Sequence, residues 1–215
     1  VPAERPDDRN PTFIRVGTVA DARVAGRLHA EQISTGFLSF LGPRFLYRLY
    51  RRVVLWEGGL LLVAVDPSKG PANSSDAVVG FIASANRTGA LYKTFLLHDS
   101  IPAALGAAGP LLLSWRRVVE TLRHGSSEKT GVGRGAEVLA MAVDSGSQGH
   151  GLGRVLVAAF LDSVVAGGGL EAYTVIAEDN AASLALYRRS GFVPGPAFEL
   201  HAGTTSLIMQ WDAPS

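Results

Sequence analysis

A strand running into a glycine-rich turn and out into a helix limits this chain's fold and ligands more than any other feature of its sequence. The turn is Val143-Asp144-Ser145-Gly146-Ser147-Gln148-Gly149-His150-Gly151-Leu152-Gly153-Arg154. Ala136 to Val143 reads as the strand. Leu152 to Val165 reads as the helix, with Leu152, Val155, Leu156, Ala159, Phe160 and Val164 meeting on one face suited to packing on a sheet. Gly149, Gly151 and Gly153 let backbone amides approach an anion closely, where the helix start already favours negative charge. The pattern is not that of a dinucleotide site, whose Gly-x-Gly-x-x-Gly spacing sits in an early strand-to-helix turn. Nor is it a nucleotide-triphosphate loop, because Arg154-Val155 follows the glycines where Lys and then Ser or Thr are required.

The remaining segments build an α/β framework around this unit. Thr12 to Val16 reads as a strand, and Thr18 is expected to cap a helix through Val24, Leu28 and Ile33. A second helix is expected from Pro43, with Phe45, Leu46, Leu49, Val53 and Val54 on its apolar side. Leu60 to Val65 and Ala77 to Ala85 read as strands joined by a polar, Pro- and Gly-containing loop. After the turn come a strand at Glu171 to Ala177, a helix at Asn180 to Arg189, and a final antiparallel pair at Phe192 to Leu200 and Thr204 to Trp211. At 215 residues the expectation is a single domain over 12–212, preceded by a disordered or trimmed tail at 1–11 and carrying an insertion at about 88–135. Within that insertion Leu111, Leu112, Trp115, Val118, Val119 and Leu122 recur at helical spacing.

Composition removes several function classes. Lys plus Arg number 20 against 19 Asp plus Glu, a net charge of +1, so a general polyanion or nucleic-acid binder is not expected. The absence of cysteine excludes disulfides, thiolate nucleophiles and Cys-ligated metals. His29, His98, His124 and His201 show no metal-ligand spacing, and no metal is expected. The longest apolar runs, near Ala103 to Leu113 and Val155 to Val165, are broken and too short to span a membrane. A cytoplasmic location without membrane partners is the expectation.

Gln148-x-x-Gly151-x-Gly153 resembles the pyrophosphate-binding loop of the GNAT superfamily of N-acetyltransferases. The run Glu178-Asp179-Asn180-Ala181-Ala182-Ser183-Leu184-Ala185-Leu186-Tyr187-Arg188-Arg189-Ser190-Gly191-Phe192 resembles that superfamily's later segment, which ends in Tyr followed shortly by Gly-Phe. The resemblance implies a mixed, mostly antiparallel sheet with flanking helices, splayed at its central strand pair, with acetyl-coenzyme A held between the splayed strands. It places Met141, Ala142 and Val143 beside the pantetheine and acetyl group. Gln148 and Gly149 would then open a cradle in which the amides of His150, Gly151, Leu152, Gly153 and Arg154 hold the pyrophosphate, without magnesium. Asn180 resembles the residue that bonds the coenzyme arm, with Ser183 as a second polar contact, although Asn180 is equally a good helix cap.

The implied chemistry needs a neutral amine, a stabilised oxyanion and a proton for the departing thiolate. Tyr187 matches the family's tyrosine near the coenzyme sulfur and is the candidate general acid. Glu137, on the strand leading to the acetyl site, is the candidate base; period-two alternation puts it on the face of Leu139, Met141 and Val143 unless a bulge intervenes. Phe37, Leu38 and Phe40 are candidates for acceptor specificity, with a core role as the competing reading. The expected activity is acetyl transfer to a primary amine on a small metabolite such as an amino sugar or amino acid. Protein or peptide acetylation and a non-catalytic acyl-coenzyme A-binding module stay open as alternatives, as do the acceptor's identity and a homodimeric state.

Overall fold

A computed structural model describes residues 12–33, 42–99, 133–201 and 204–214. In chain order its main elements are β1 (Phe13–Val16), α1 (Asp21–Gln32), α2 (Gly42–Leu55), β2 (Gly59–Val65), β3 (Val78–Ala85), α3 (Thr88–His98), β4 (Ala136–Val143), α4 (Leu152–Ala166), β5 (Glu171–Ala177), α5 (Ala181–Arg189), β6 (Val193–His201) and β7 (Thr204–Asp212). The strands form one seven-stranded sheet in the order β1-β2-β3-β4-β5-β7-β6. All neighbouring pairs are antiparallel except β4 with β5, which is parallel. Phe37, Leu38, Phe40 and the helical repeat expected between Leu111 and Leu122 lie outside the described residues.

Alternation along the strands sends side chains to two separate cores. On one face Leu61, Val63, Phe81, Ala83, Ala85 and Ala142 pack with Leu28, Leu46, Tyr50 and Val53 of α1 and α2. On the other, Leu62, Ile82, Val138 and Ile176 pack with Leu156 and Phe160 of α4 and Leu184 and Tyr187 of α5. Each fully buried Leu or Phe contributes about 1.5–3 kcal/mol relative to exposure. In α4 the inward residues are Leu152, Leu156, Val157 and Phe160, whereas Val155 is 48% exposed. Val155 instead lines a cleft beside the glycine turn.

The start of α1 differs from the expected cap. Ala20 occupies the cap position without a side-chain bond. The Thr18 amide and hydroxyl both donate to Asp21 Oδ2, each at 2.7 Å. Arg15 adds bonds of 2.7 and 3.0 Å and Ser75 one of 2.9 Å, so one fully buried carboxylate ties β1, α1 and the β2–β3 connection together. Burial opposes its ionisation, but these donors prevail and hold its pKa down at about 2.

His29 of α1 is buried against the Tyr50 hydroxyl, which is hydrogen-bonded to its Nδ1. Burial alone lowers the imidazole pKa to about 4, from 6.5 in the free side chain. The unfolded chain therefore takes up a proton that the folded chain refuses. This contribution to stability is complete above about pH 6.5 and is lost as pH falls toward 4, by up to about 3 kcal/mol. Chemical denaturation of His29→Gln, which keeps an acceptor for Tyr50, should show a flatter stability profile than the parent between those pH values.

Candidate active site

The β4–β5 pair is the organising feature. Register runs only through Ala136↔Ala172, Glu137↔Tyr173 and Val138↔Thr174, although β4 continues to Val143 and β5 to Ala177. Beyond the third rung the strands part, leaving the β5-facing edge of Leu139 to Val143 without that partner. The expected splay is present.

A β-bulge lies at its apex. Ala140 pairs with Ala83 and Val138 with Ser84, so Leu139 is an extra residue on β4. This resets the alternation. Glu137 shares a face with Ala140 and Ala142, on the α1–α2 side, while Met141 and Val143 turn toward α4. Simple period two had put Glu137, Met141 and Val143 on one face; the bulge separates them.

The two candidate proton-transfer groups consequently flank the apex from opposite faces. Glu137 is 6% exposed and accepts a 2.7 Å hydrogen bond from the Tyr173 hydroxyl on the adjacent strand. Both residues hold interactions besides this one. One rung on, across the sheet, Thr174 Oγ1 donates to the Val138 carbonyl at 3.4 Å. Tyr187 of α5 is buried on that side, edge-on to Phe192 with ring centroids 5.0 Å apart. Burial pushes its phenol pKa well up, only partly offset by a hydrogen bond with Thr174, so it stays protonated at neutral pH. Tyr173 and Thr174 were not singled out from sequence, because only the parallel register brings Tyr173 to Glu137, and only the packing of α5 on the sheet brings Thr174 to Tyr187.

The glycine turn follows β4 directly. Gly149 and Gly151 have φ of +81° and +78°, and a Cβ at either would project into open space. Gly151 caps α4, and the Arg154 and Val155 amides both turn back to its carbonyl at 3.0 and 3.2 Å. The amides ahead of them point out of the helix start. A Cβ at Gly153 would meet Leu186 of α5 at 3.4 Å and Met141 of β4 at 3.7 Å, ordinary contact distances. A cleft of about 400 Å3 lined by Thr12, Asp66, Gly146, Ser147, His150, Leu152 and Val155 adjoins the turn.

Gln148 and Asn180 have internal partners. Gln148 Nε2 donates to the Val143 carbonyl at 2.9 Å and to Gln32 Oε1 at 3.0 Å, clasping the turn to the end of β4 and the last residue of α1. Asn180 Oδ1 accepts from the Ser183 amide at 3.1 Å and caps α5; Asn180 is exposed and Ser183 half-buried. Arg134 is paired with Glu171 and Asp212 at 3.2 and 3.4 Å. Among the described residues no group of three His, Asp or Glu side chains is placed to hold a metal.

A sheet split between its parallel strands, with a glycine turn at the following helix, is the arrangement that the resemblance to N-acetyltransferases implies. The profile of the Acetyltransferase (GNAT) family matches residues 72–192, more than half the chain, and the protein belongs to that family. Among solved structures it is similar to a phosphinothricin acetyltransferase from Sinorhizobium meliloti in complex with AcCoA: 17% identity, TM-score 0.58, 94% of this chain and 88% of that one. Ard1 from Thermoplasma volcanium aligns at 16% identity and TM-score 0.58 over 95% and 99% of the two chains. A ribosomal-protein-alanine N-acetyltransferase from Escherichia coli aligns at 14% identity and TM-score 0.57, covering 95% and 96%. These structures share the fold, and the phosphinothricin and ribosomal-protein-alanine enzymes are named for different acceptors. No curated protein matches the chain.

Proposed function

We propose that the protein transfers an acetyl group from acetyl-coenzyme A directly to a primary amine on a small metabolite, an amino sugar or amino acid being the class of acceptor. The carrying observation is the split after Val138 and Thr174, with Glu137 and Tyr187 on opposite faces of its apex. The residues present fit the donor. Open space at the Gly149 and Gly151 Cβ positions gives a phosphate close access to backbone amides, and the free edge of β4 offers donors and acceptors to an amide-bearing arm. The similar Sinorhizobium enzyme was crystallised with AcCoA.

When bound, the coenzyme supplies a thioester whose carbonyl carbon is electrophilic and whose thiolate departs. In the proposed mechanism His150, Gly151, Leu152 and Gly153 hold the pyrophosphate through their amides, the Arg154 amide being taken up by the Gly151 carbonyl so that only the Arg154 side chain is left for the phosphates, and Met141, Ala142 and Val143 line the arm. Asn180 and Ser183 present polar groups at the start of α5. Glu137, oriented by Tyr173, accepts the ammonium proton from the α1–α2 face. The protonated Tyr187 donates to the thiolate from the α4–α5 face. A carboxylate only 6% exposed asks for an amine narrow enough to enter beside β4, a requirement that a small metabolite amine meets.

Thiol release measured across amino sugars, amino acids, polyamines and lysine- or N-terminus-bearing peptides tests this reading. Turnover confined to small amines supports it; turnover confined to peptides replaces it with peptide acetylation, and none at all leaves a binding module. With an active amine, Glu137→Gln should lower kcat/KM by about 100-fold or more and remove the acid limb of its pH profile. An unchanged profile would take the base role from Glu137.

A further inference from the structure

Helices α1 and α2 cross in backbone contact. A Cβ at Gly26 would lie 2.7 Å from the Tyr47 amide nitrogen and 3.1 Å from the Pro43 carbonyl oxygen, so glycine is what permits the approach. Arg23 and Arg27, one turn apart on α1, and Arg44 and Arg48, one turn apart on α2, flank that crossing. With Pro43 and Tyr47 they line an open concavity of about 450 Å3. The Arg23 guanidinium carbon sits 5.3 Å from the Tyr47 ring centroid.

The charges there are largely uncompensated. Among the described residues the only ion pair made by these four arginines is Arg27 with Glu31, at 3.3 Å and about half exposed. Further along α2, Arg51 and Arg52 are taken up by Asp99 at 3.8 and 2.6 Å. A chain of net charge +1 thus concentrates four guanidinium groups in one hollow with an apolar floor of ring, proline and arginine stems. Guanidinium forks match phosphate oxygens in pairs, and the hollow's size lies within the range of small-ligand sites.

We propose that this hollow binds a multiply phosphorylated small anion, at a site separate from the turn before α4. One phosphate engages Arg23 and Arg27 and the next Arg44 and Arg48, so a di- or triphosphate spans both helices where a monophosphate cannot.

Calorimetric titration of the full chain with pyrophosphate and with adenosine diphosphate, repeated in Gly151→Val so that uptake at the α4 turn is separated from uptake at the hollow, tests the site. The expected result is saturable binding that weakens with salt and falls about tenfold or more in Arg44→Gln/Arg48→Gln and in Arg23→Gln/Arg27→Gln. Arg51→Gln should leave it unchanged. Tighter binding of the nucleotide supports an organic ligand, and equal binding an inorganic one. Absence of binding, affinity indifferent to both double variants, or preference for poly-aspartate over pyrophosphate would overturn the proposal, the last in favour of an acidic peptide.

Discussion

Tyr187→Phe lowers kcat by about 100-fold or more while leaving the affinity for acetyl-coenzyme A within about threefold. The split between the two constants follows from where the hydroxyl sits. The ring is held by Phe192 and the α4–α5 core, and phenylalanine preserves that packing. What it removes is a proton donor that burial keeps protonated, beside Thr174 at the apex of the split. A packing role alone predicts near-parental turnover. Pre-steady-state thiol release on the best amine of the panel is the measurement, and parental rates would remove Tyr187 from the chemistry.

Gly151→Val weakens acetyl-coenzyme A binding by about 100-fold or more, the loss expected when at least two amide bonds to a charged group are blocked. Its φ of +78° strains any β-branched residue by about 1–3 kcal/mol, so circular dichroism must first show a folded variant. The fold should survive, because nothing lies within 4 Å of the new Cβ: it projects outward, into the space the phosphates are proposed to fill. Undiminished binding by the folded variant would move the donor site away from the turn.

Much of this arrangement was legible in the residues because strong periodicity marks it. Ala136 to Val143 and Glu171 to Ala177 were expected as strands and are found with those bounds, and the helix after the turn begins at Leu152 as expected. The family match bears out the resemblance drawn from Gln148-x-x-Gly151-x-Gly153 and the Tyr187 segment. What was not legible is set by pairing between distant segments. The bulge at Leu139 leaves no local mark, since β-branched and small apolar residues flank it as in any strand, yet it decides which face carries Glu137. Tyr173 meets Glu137 only through the parallel register of β4 and β5. Val155 fits the apolar face of α4 by spacing, but the cleft beside the turn claims it and Val157 is buried instead. The Gln148 side chain bridges β4 and α1, with a partner 116 residues away that its place in the turn does not announce.

The central claim is that the turn before α4 and the split beside it hold acetyl-coenzyme A. Calorimetric titration of the purified protein with acetyl-coenzyme A, with reduced nicotinamide dinucleotide and adenosine triphosphate as comparators, measures it directly. The account predicts a saturable acetyl-coenzyme A site that is retained in Tyr187→Phe and in Arg44→Gln/Arg48→Gln and lost in Gly151→Val, with any uptake of the two comparators abolished by Arg44→Gln/Arg48→Gln. A folded protein that takes up no acetyl-coenzyme A, or binds it equally well after Gly151→Val, would contradict it.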